Sequence, residues 1–379
     1  MRVLYAAYRH DPRDPDAGSG VDYFCYRSLV GAGFKVEICG PMRGRPALPE
    51  RAFRRSYERL TGKRYAKFQV SQALRASSEL NLWEREWRPD VVFTIFPATL
   101  VCYRGAAPCV YDQDLSFINW QRNYPEFGGL AQRINLWLER RAFSRCQRVI
   151  THSANAKQVL VDDYGIAADR IDVFPYPPTF GEHLKPPEIP SPDLPIRPPL
   201  HLLLVGRDRR RKGVDLAVQS VRMLDQQGVA SFLTVVGLTE TGDQVVRFAG
   251  SYKKNDAMQL RAYLTHYERS HLLLHPALFD PSPFVPSEAA AFGVPTITND
   301  TGGLATTVAD GVSGIVLPRH SPAEAYVEAI LGLVRDPDRY RELRRTTRER
   351  YERELNWDVA GKRVAEIVRQ VAEEGARSR

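Results

Sequence analysis

The chain has 379 residues, 43% of them hydrophobic and 26% charged, with a formal net charge of +8. This length and composition exclude a chain that is disordered throughout and allow two domains with separate cores. The N-terminus has no signal-peptide pattern and no run of about 18 apolar residues occurs, so we expect neither export nor a membrane-spanning segment. The five cysteines lack metal-like spacing and fit reduced thiols in a cytoplasmic protein.

Short apolar runs alternate with amphipathic helical segments along the chain. Before residue 175 the runs are RVLYAAY, KVEICG, DVVFTIF, CVYD and RVITHS, and from residue 200 they are LHLLLVG, ASFLTVVG, VVRFAG, HLLLHP and VPTITN. This alternation is typical of parallel sheets covered by helices. The sequence therefore predicts an α/β protein with two doubly wound, Rossmann-like domains, in which loops at the carboxyl ends of the strands bind ligands.

A proline-rich segment separates the two sets of runs. Ten of the twenty-five residues from Pro175 to Pro199 are proline, which favours an extended linker. We predict an N-terminal domain over residues 1–180, a linker over 181–199, a C-terminal domain over 200–356 and a last helix over 357–379.

The first candidate binding loop follows RVLYAAY. Gly18 and Gly20 precede a predicted helix, where glycine allows backbone N–H groups to approach a phosphate or a sugar. A nicotinamide-cofactor interpretation is the alternative, since Glu37 follows in the next apolar run. It is the weaker one, because Tyr23 occupies the third glycine position of that fingerprint.

The positive charge is concentrated between Met42 and Lys67, where nine Lys and Arg stand against two Glu. The excess predicts an anionic partner, and a solvated helix face or a loop is the alternative. Nucleic acid is disfavoured as that partner, because no RNP, KH, zinc-finger or helix-turn-helix pattern accompanies the charge.

Polar residues follow two later runs of the first half. CVYDQDL places Asp112 and Asp114 at a strand end, in an arrangement similar to a DxD metal motif. THSANAKQVL places His152 and Ser153 after the next run, where a histidine is usually structural and a serine usually caps a helix.

A basic loop opens the second half. Five of the six residues from Arg207 to Lys212 are basic, and a helix is predicted from about Gly213. Positive charge at a helix N-terminus opposes the helix dipole unless an anion binds there, so the loop predicts a phosphate site. We expect Arg207 and Lys212 to point inward and the three arginines between them to be solvated.

The segment FDPSPFVPSEAAAFGVPTITNDTGG contains one isolated carboxylate. Glu288 is the only ionisable side chain between Pro281 and Asn299. A buried carboxylate needs a partner, although an acidic residue in the first turn of a helix is also ordinary helix chemistry. Gly302 and Gly303 precede a further helix and offer backbone donors to an anion.

Together, VGRDRRRKGVDLA, the segment ending in TGG and VADGVSGIVLP resemble the retaining glycosyltransferases of family 4, which have the GT-B fold. The resemblance implies that Arg207 and Lys212 bind the donor diphosphate and that Asp280 and Glu288 form the E-x7-E pair. It also implies that Gly302 and Gly303 form the glycine pair of the donor site. The Gly18 and Gly20 loop is similar to the family's Gly-Gly loop, and the helix with Trp357 would cross back onto the N-terminal domain.

The resemblance implies transfer of a sugar from a nucleotide diphosphate sugar to a glycan, lipid-linked or small-molecule acceptor. Retention at the anomeric carbon would be expected, without a metal or other cofactor. Glu288 would accept hydrogen bonds from ribose hydroxyls, so its partner would arrive with the donor. A catalytic-region acid would fall on Asp112 or Asp114, and Asp114 fits better.

Two departures concern the sugar end of the site. Asp280 is one methylene shorter than the family's glutamate, and Pro281 and Pro283 have no N–H to offer a sugar. An anionic acceptor or membrane surface would meet residues 43–67 of a cytoplasmic enzyme. A sugar-nucleotide epimerase on the same fold and a noncatalytic binder of glycans or nucleotides are the alternatives.

Overall fold

The computed structural model describes residues 1–15, 17–66, 69–179 and 194–377. Two compact units make up the chain, one of Met1–Phe174 with Gly361–Arg379 and one of Pro175–Ala360. Most of the predicted linker, residues 181–193, lies outside the described residues, as does Lys67 of the basic segment.

The first unit is built on a six-stranded parallel sheet in the order β2-β1-β3-β4-β5-β6. Its strands are β1 (Arg2–Ala6), β2 (Lys35–Cys39), β3 (Val91–Thr94), β4 (Cys109–Gln113), β5 (Cys146–Thr151) and β6 (Ile171–Val173). Its helices are α1 (Val21–Gly31), α2 (Leu48–Thr61), α3 (Val70–Trp87), α4 (Phe117–Asn123), α5 (Gly129–Phe143) and α6 (Ala154–Tyr164). Short 3₁₀ turns lie at Ala17–Gly20, Pro97–Thr99 and Ala168–Arg170.

The second unit has its own six-stranded parallel sheet, in the order β12-β11-β10-β7-β8-β9. Its strands are β7 (Leu200–Val205), β8 (Ser231–Val236), β9 (Val246–Phe248), β10 (Leu272–His275), β11 (Thr296–Asn299) and β12 (Gly314–Leu317). The helices that follow are α7 (Val214–Gln226), α8 (Ala257–Glu268), α9 (Val285–Ala291), α10 (Leu304–Thr307), α11 (Ala323–Arg335), α12 (Pro337–Glu354) and α13 (Trp357–Arg377).

Both sheets confirm the α/β class and the two Rossmann-like folds. Each predicted apolar run contains or overlaps a strand, because central strands covered on both faces read as continuous apolar sequence. In β3 and β10, for example, every residue is buried. The edge strands β6 and β12 were not predicted, since they are only three and four residues long.

The boundary between the units differs from the prediction. The first unit ends at Phe174 rather than at residue 180, because the residues that follow pack with the second unit. Tyr176 stacks on Phe284 with ring centroids 5.0 Å apart, and its carbonyl accepts a hydrogen bond from Ser287 Oγ at 2.8 Å. Ile196, within the predicted linker, is buried in the core of the second unit.

Helix α13 is divided between the units. Trp357 belongs to the second unit, where its indole Nε1 donates to the Pro178 carbonyl at 2.9 Å. From Gly361 onward the helix belongs to the first unit, with Arg369 lying 5.2 Å from the centroid of the Phe34 ring. Nowhere in the described part of the chain is a helix both long enough and apolar enough to span a bilayer.

Candidate active site

The strand order of the second unit determines where its functional loops meet. Strands β7 and β10 are neighbours in the sheet. After β7 the chain continues to β8 and β9 toward one edge of the sheet, and after β10 it continues to β11 and β12 toward the other edge, which makes a topological switch point. Gly213, the N-cap of α7, has a φ of 67°, and a Cβ there would overlap the Pro276 carbonyl oxygen. The start of α7 therefore packs directly against the loop that follows β10, which brings Lys212 to Asp280.

Asp280 is the centre of a buried ionic cluster. Its Oδ2 lies 2.5 Å from Lys212 Nζ and 2.9 Å from His275 Nε2. Arg211 Nη1 approaches Oδ1 at 3.6 Å. Burial opposes ionisation of Asp280, but the Lys212 charge and the His275 hydrogen bond outweigh it and hold its pKa well below the usual range. Asp280 is therefore an anion that neutralises Lys212 inside the protein.

His275 supports this anion as a neutral imidazole. Burial, followed by the Lys212 charge, lowers the pKa of His275, and Nε2–H then donates to Asp280. Its Nδ1 has no hydrogen-bond partner among the described residues. No sequence pattern singles out His275, since it reads as the end of an apolar strand.

The glycine pair packs closely against the backbone of Asp280 and Pro281. A Cβ on Gly302 would overlap the Asp280 carbonyl oxygen, and one on Gly303 would overlap the Pro281 carbonyl oxygen. The Gly303 N–H donates to Asp280 O at 2.7 Å, so it is engaged within the protein and not available to an anion. The pair allows the turn before α10 to pack on the backbone of Asp280.

The basic loop after β7 contains side chains in three situations. Lys212 is buried, as expected. The expectation that Arg207 also points inward was wrong, because Arg207 is exposed and its side chain makes no hydrogen bond or ion pair with the described residues. Arg209 pairs with Asp215 at 2.6 Å and also with Glu240. The expectation that all three intervening arginines are merely solvated was wrong for Arg211, which reaches Asp280.

Glu288 lies in the first turn of α9 and is 1% exposed. Its Oε1 accepts from Lys254 Nζ at 2.5 Å, and its Oε2 accepts from the hydroxyls of Tyr263 and Tyr267, the latter at 2.7 Å. Burial opposes ionisation, but Lys254 and both hydroxyls outweigh it and lower the pKa of Glu288. The expectation that its partner arrives only with a ligand was therefore wrong, because three donors already surround it.

The partners of Glu288 could not be recognised in the sequence. Tyr263 and Tyr267 stand one turn apart on α8 and look like ordinary core residues, and burial followed by the Glu288 charge raises their pKa values well above normal. Both phenols therefore remain protonated donors. Lys254 lies in a polar segment before α8, far from Glu288 along the chain.

In the first unit, the Gly18 and Gly20 loop has a left-handed backbone. Gly18, Ser19 and Gly20 have φ values of 58°, 62° and 81°, and Gly20 is the N-cap of α1 without a side-chain cap. Three successive residues of this kind turn the chain sharply at the carboxyl end of β1. Gly20, as a glycine, has no side chain with which to cap α1.

Asp112 and Asp114 have different surroundings. Asp112 is 1% exposed and its Oδ1 lies 2.6 Å from His152 Nε2, whereas Asp114 is exposed. His152 Nδ1 lies 2.9 Å from the Phe174 carbonyl, so the imidazole is held between that carbonyl and Asp112. Of the two acids, Asp114 is thus the one that reaches solvent, and Asp112 forms a buried pair.

Two further residues lie beside this pair. Gln113, between the two acids, is fully buried, and neither polar atom of its side chain has a partner among the described residues. Thr151, its register partner on β5, likewise has a buried hydroxyl without a partner there. The described residues contain no group of three or more His, Cys, Asp or Glu side chains arranged to hold a metal ion.

Known proteins share this architecture. Residues 25–177 match the sequence model described as Glycosyltransferase Family 4, and residues 192–350 match the one described as Glycosyl transferases group 1. Glycogen synthase of Mycobacterium tuberculosis strain H37Rv is 24% identical over 305 residues, which cover 75% of this chain and 69% of the relative.

Two solved structures have the same fold. Sucrose-phosphate synthase of Thermosynechococcus elongatus superimposes with a TM-score of 0.67 at 18% identity, covering 98% of this chain and 99% of that one. Anabaena HepE in complex with UDP superimposes with a TM-score of 0.64 at 16% identity, covering 98% and 100%. The fold is thus that of the GT-B glycosyltransferases. The chain belongs to glycosyltransferase family 4.

Asp22, which no sequence pattern singled out, gives the protein a testable pH dependence. It lies in the first turn of α1 and accepts from the Tyr5 hydroxyl at 2.9 Å. Burial raises the pKa of Asp22 to about 6, the nearby Asp112 adds to this, and the Tyr5 hydrogen bond opposes it. An acid with a raised pKa in the folded state lowers stability as pH rises between its unfolded and folded values.

Replacing Asp22 with Asn should therefore stabilise the protein more at about pH 7 than at about pH 4. The gain should grow across that range by about 1 to 3 kcal/mol, because a pKa that differs by one between the folded and unfolded states corresponds to about 1.4 kcal/mol. Urea unfolding of wild type and variant across this pH range measures it, with the exposed Asp169→Asn as control. A difference that stays constant with pH would contradict a buried, reluctantly ionised Asp22.

Proposed function

We propose that this glycosyltransferase moves a sugar from a nucleotide diphosphate sugar to an acceptor, with retention at the anomeric carbon. The observation that carries the proposal is the pairing of Lys212 with Asp280 at the switch point of the second unit. Arg207, in the same loop, is exposed and has no ion pair among the residues that the structure describes. A loop with an oriented lysine and an available arginine suits a diphosphate.

The two cations would act on the leaving group. Negative charge grows on the donor diphosphate as its bond to the sugar breaks, so Arg207 and Lys212 would bind the transition state more strongly than the bound donor. Asp280 holds the Lys212 ammonium in position before the donor arrives. The acceptor hydroxyl would attack from the face that the diphosphate leaves, which preserves the anomeric configuration.

The nucleoside end of the donor would lie at Glu288. An ionised carboxylate accepts hydrogen bonds from two adjacent ribose hydroxyls, and the contacts of Glu288 keep it ionised. Anabaena HepE is solved with UDP and with UDP-glucose, which makes uridine nucleotides the first donors to test.

The first unit would supply the remaining groups. Gly18 and Gly20 would offer backbone donors to the donor phosphates, and Asp114 would be the acid near the reacting sugar. Asp280, which we also assign to donor binding, would reach the sugar less far than a glutamate. No observation favours an epimerase or a noncatalytic binder.

Replacing Arg207 or Lys212 with Ala should lower turnover about a hundredfold or more, the effect of losing one preorganised partner of a developing oxyanion. The double variant should lose less than the product of the two losses, because residues that act as a unit are not additive. Product formation at saturating donor measures this, with UDP-sugars tested first.

Arg210→Ala is the matched control, since Arg210 belongs to the same loop and is exposed. It should leave turnover close to wild type. Loss of turnover in Arg210→Ala with normal turnover in Arg207→Ala and Lys212→Ala would contradict the proposed diphosphate site.

The proposal also predicts transfer without a divalent cation. Two side-chain cations can neutralise the diphosphate, and Asp112, one half of the DxD-like pair, is already paired with His152. Activity measured with excess EDTA should equal activity with added magnesium or manganese. Activity that disappears with EDTA and returns with either metal would show that a metal, and not the two basic side chains alone, neutralises the donor.

We further propose that residues 43–67 meet an anionic surface, either a membrane or the acceptor it carries. Helix α2 has no buried residue, and Leu48, Phe53 and Leu60 are 75%, 47% and 84% exposed. Arg55 and Arg59 are exposed on the same helix. A basic helix with exposed apolar side chains suits the interface of an anionic bilayer.

Flotation with liposomes should recover more protein with anionic than with neutral lipid, and added salt should reduce the difference. Each basic residue near such a surface contributes about 1 kcal/mol, so Arg55→Glu with Arg59→Glu should abolish most of it. The exposed pair Arg335→Glu with Arg339→Glu is the control. Equal recovery from both lipids would contradict binding to an anionic surface and would favour the alternative that α2 is simply a solvated helix.

A further inference from the structure

Lys254 covers a carboxylate that the donor must reach. Glu288 is 1% exposed, and its two carboxylate oxygens are divided between different donors. Tyr263 and Tyr267 hold Oε2, and both are themselves buried. Lys254 holds Oε1, and its side chain is 34% exposed. Of these three donors, the lysine is the one at the protein surface.

A ligand hydroxyl can therefore approach Glu288 only from the side that Lys254 occupies. The tyrosines are fixed, because their rings pack against each other at 5.4 Å and Tyr267 stacks on Phe292. The ammonium group of Lys254 lies 5.1 Å from the centroid of the Tyr263 ring, at the end of a flexible stem. Rotation of this side chain uncovers Oε1 without any change in the tyrosines.

The backbone around Lys254 is held in place, so the movement concerns the side chain. Tyr252 OH lies 2.8 Å from His266 Nε2. The Lys253 N–H donates to Gln259 Oε1 at 3.0 Å, and Asp256 caps α8. These contacts fix the segment on both sides of Lys254 to α8.

Displacing Lys254 leaves the charge of Glu288 buried without its cation. Such a charge is costly, and a neutral nucleoside supplies hydroxyl donors but no positive charge, so it displaces Lys254 only at a cost. A nucleoside diphosphate brings both replacements, ribose hydroxyls for Glu288 and phosphate oxygens for Lys254. Arg207 follows β7, and Glu288 lies on the helix that follows β10, the strand next to β7, so both come from the carboxyl edge of the same sheet.

We propose that Lys254 is a further donor-binding residue, which covers Glu288 in the free enzyme and moves to the donor diphosphate when ribose hydroxyls take its place. This inference rests on the proposed function of Glu288 and of the Arg207 loop. It makes Lys254 a residue that couples recognition of the ribose to recognition of the phosphates, and so disfavours binding of nucleosides that carry no phosphate.

Calorimetric titration of UDP and uridine into wild type and Lys254→Met tests the coupling. The diphosphate is chosen by thermal unfolding of the wild type. If ADP, GDP, CDP or dTDP raises the unfolding temperature more than UDP does, that diphosphate and its nucleoside are titrated in place of UDP and uridine. Lys254→Met should weaken diphosphate binding at least about tenfold, the scale of one charge-assisted contact, and should leave nucleoside binding unchanged or stronger. The ratio of the two affinities should thus fall at least about tenfold.

Lys253→Met is the matched control, because Lys253 is the exposed neighbour in the same segment, and its ratio should equal that of wild type. Equal weakening of diphosphate and nucleoside by Lys254→Met would show that Lys254 only supports Glu288, which overturns the inference. An unchanged ratio overturns it as well.

Circular dichroism and thermal unfolding establish that each variant is folded. If Lys254→Met does not fold, Lys254→Gln replaces it, since glutamine still offers Glu288 a donor but carries no charge, and the same fall in the ratio is expected. A wild-type protein that binds none of the diphosphates would contradict the proposed function itself. A wild type that binds one, with no change of ratio in the variant, would contradict only the role of Lys254.

Discussion

Asp280 ties three loops of the second unit together through one buried carboxylate. The loop after β7 contributes Lys212 and Arg211, the end of β10 contributes His275, and the turn before α10 packs its glycines on the Asp280 backbone. Removing one partner of a buried ion pair costs about 3 to 5 kcal/mol, because the remaining charge stays buried. The position of Lys212, on which the proposed chemistry depends, is thus a consequence of Asp280.

Asp280 and Glu288 are both buried carboxylates that stay ionised because cations and hydrogen-bond donors surround them. Their partners differ. Asp280 has two cations and an imidazole, and little of it is left to contact a sugar. Glu288 has one cation at the surface and two buried phenols, so one of its oxygens can change partners. The Asp280 side chain is one methylene shorter than that of Glu288, and both are buried. They differ in their lysine partners, since Lys212 is buried whereas Lys254 is partly exposed.

The sequence predicted most of the strands in both sheets, because a strand covered by helices on both faces consists of consecutive apolar residues. The family resemblance placed Lys212 and Asp280 in one donor site, and in the structure the two side chains are in contact. The sequence could not predict Lys254, Tyr263 or Tyr267 as partners of Glu288. Contacts of that kind depend on how α8 packs against α9, and neither periodicity nor spacing encodes them.

The glycine pair and the boundary between the units also show what the sequence alone could not predict. Gly302 and Gly303 were expected to donate to an anion. The structure adds a second reason for glycine there, since a Cβ at either position would overlap the carbonyl of Asp280 or Pro281. A glycine in a sequence does not reveal which of these reasons applies. The first unit ends at Phe174 and not at residue 180, because Tyr176 stacks on Phe284 of the second unit. This contact joins residues that are far apart in the chain.

A donor diphosphate should bind between Arg207 and Lys212 while Lys212 remains paired with Asp280. A crystal structure of the complex with a nucleoside diphosphate tests this most directly. We expect phosphate oxygens within about 3 Å of both basic side chains, the distance of charge-assisted hydrogen bonds, with the Lys212 to Asp280 contact intact. A diphosphate bound elsewhere on the second unit, with Arg207 and Lys212 unchanged, would contradict the proposed site.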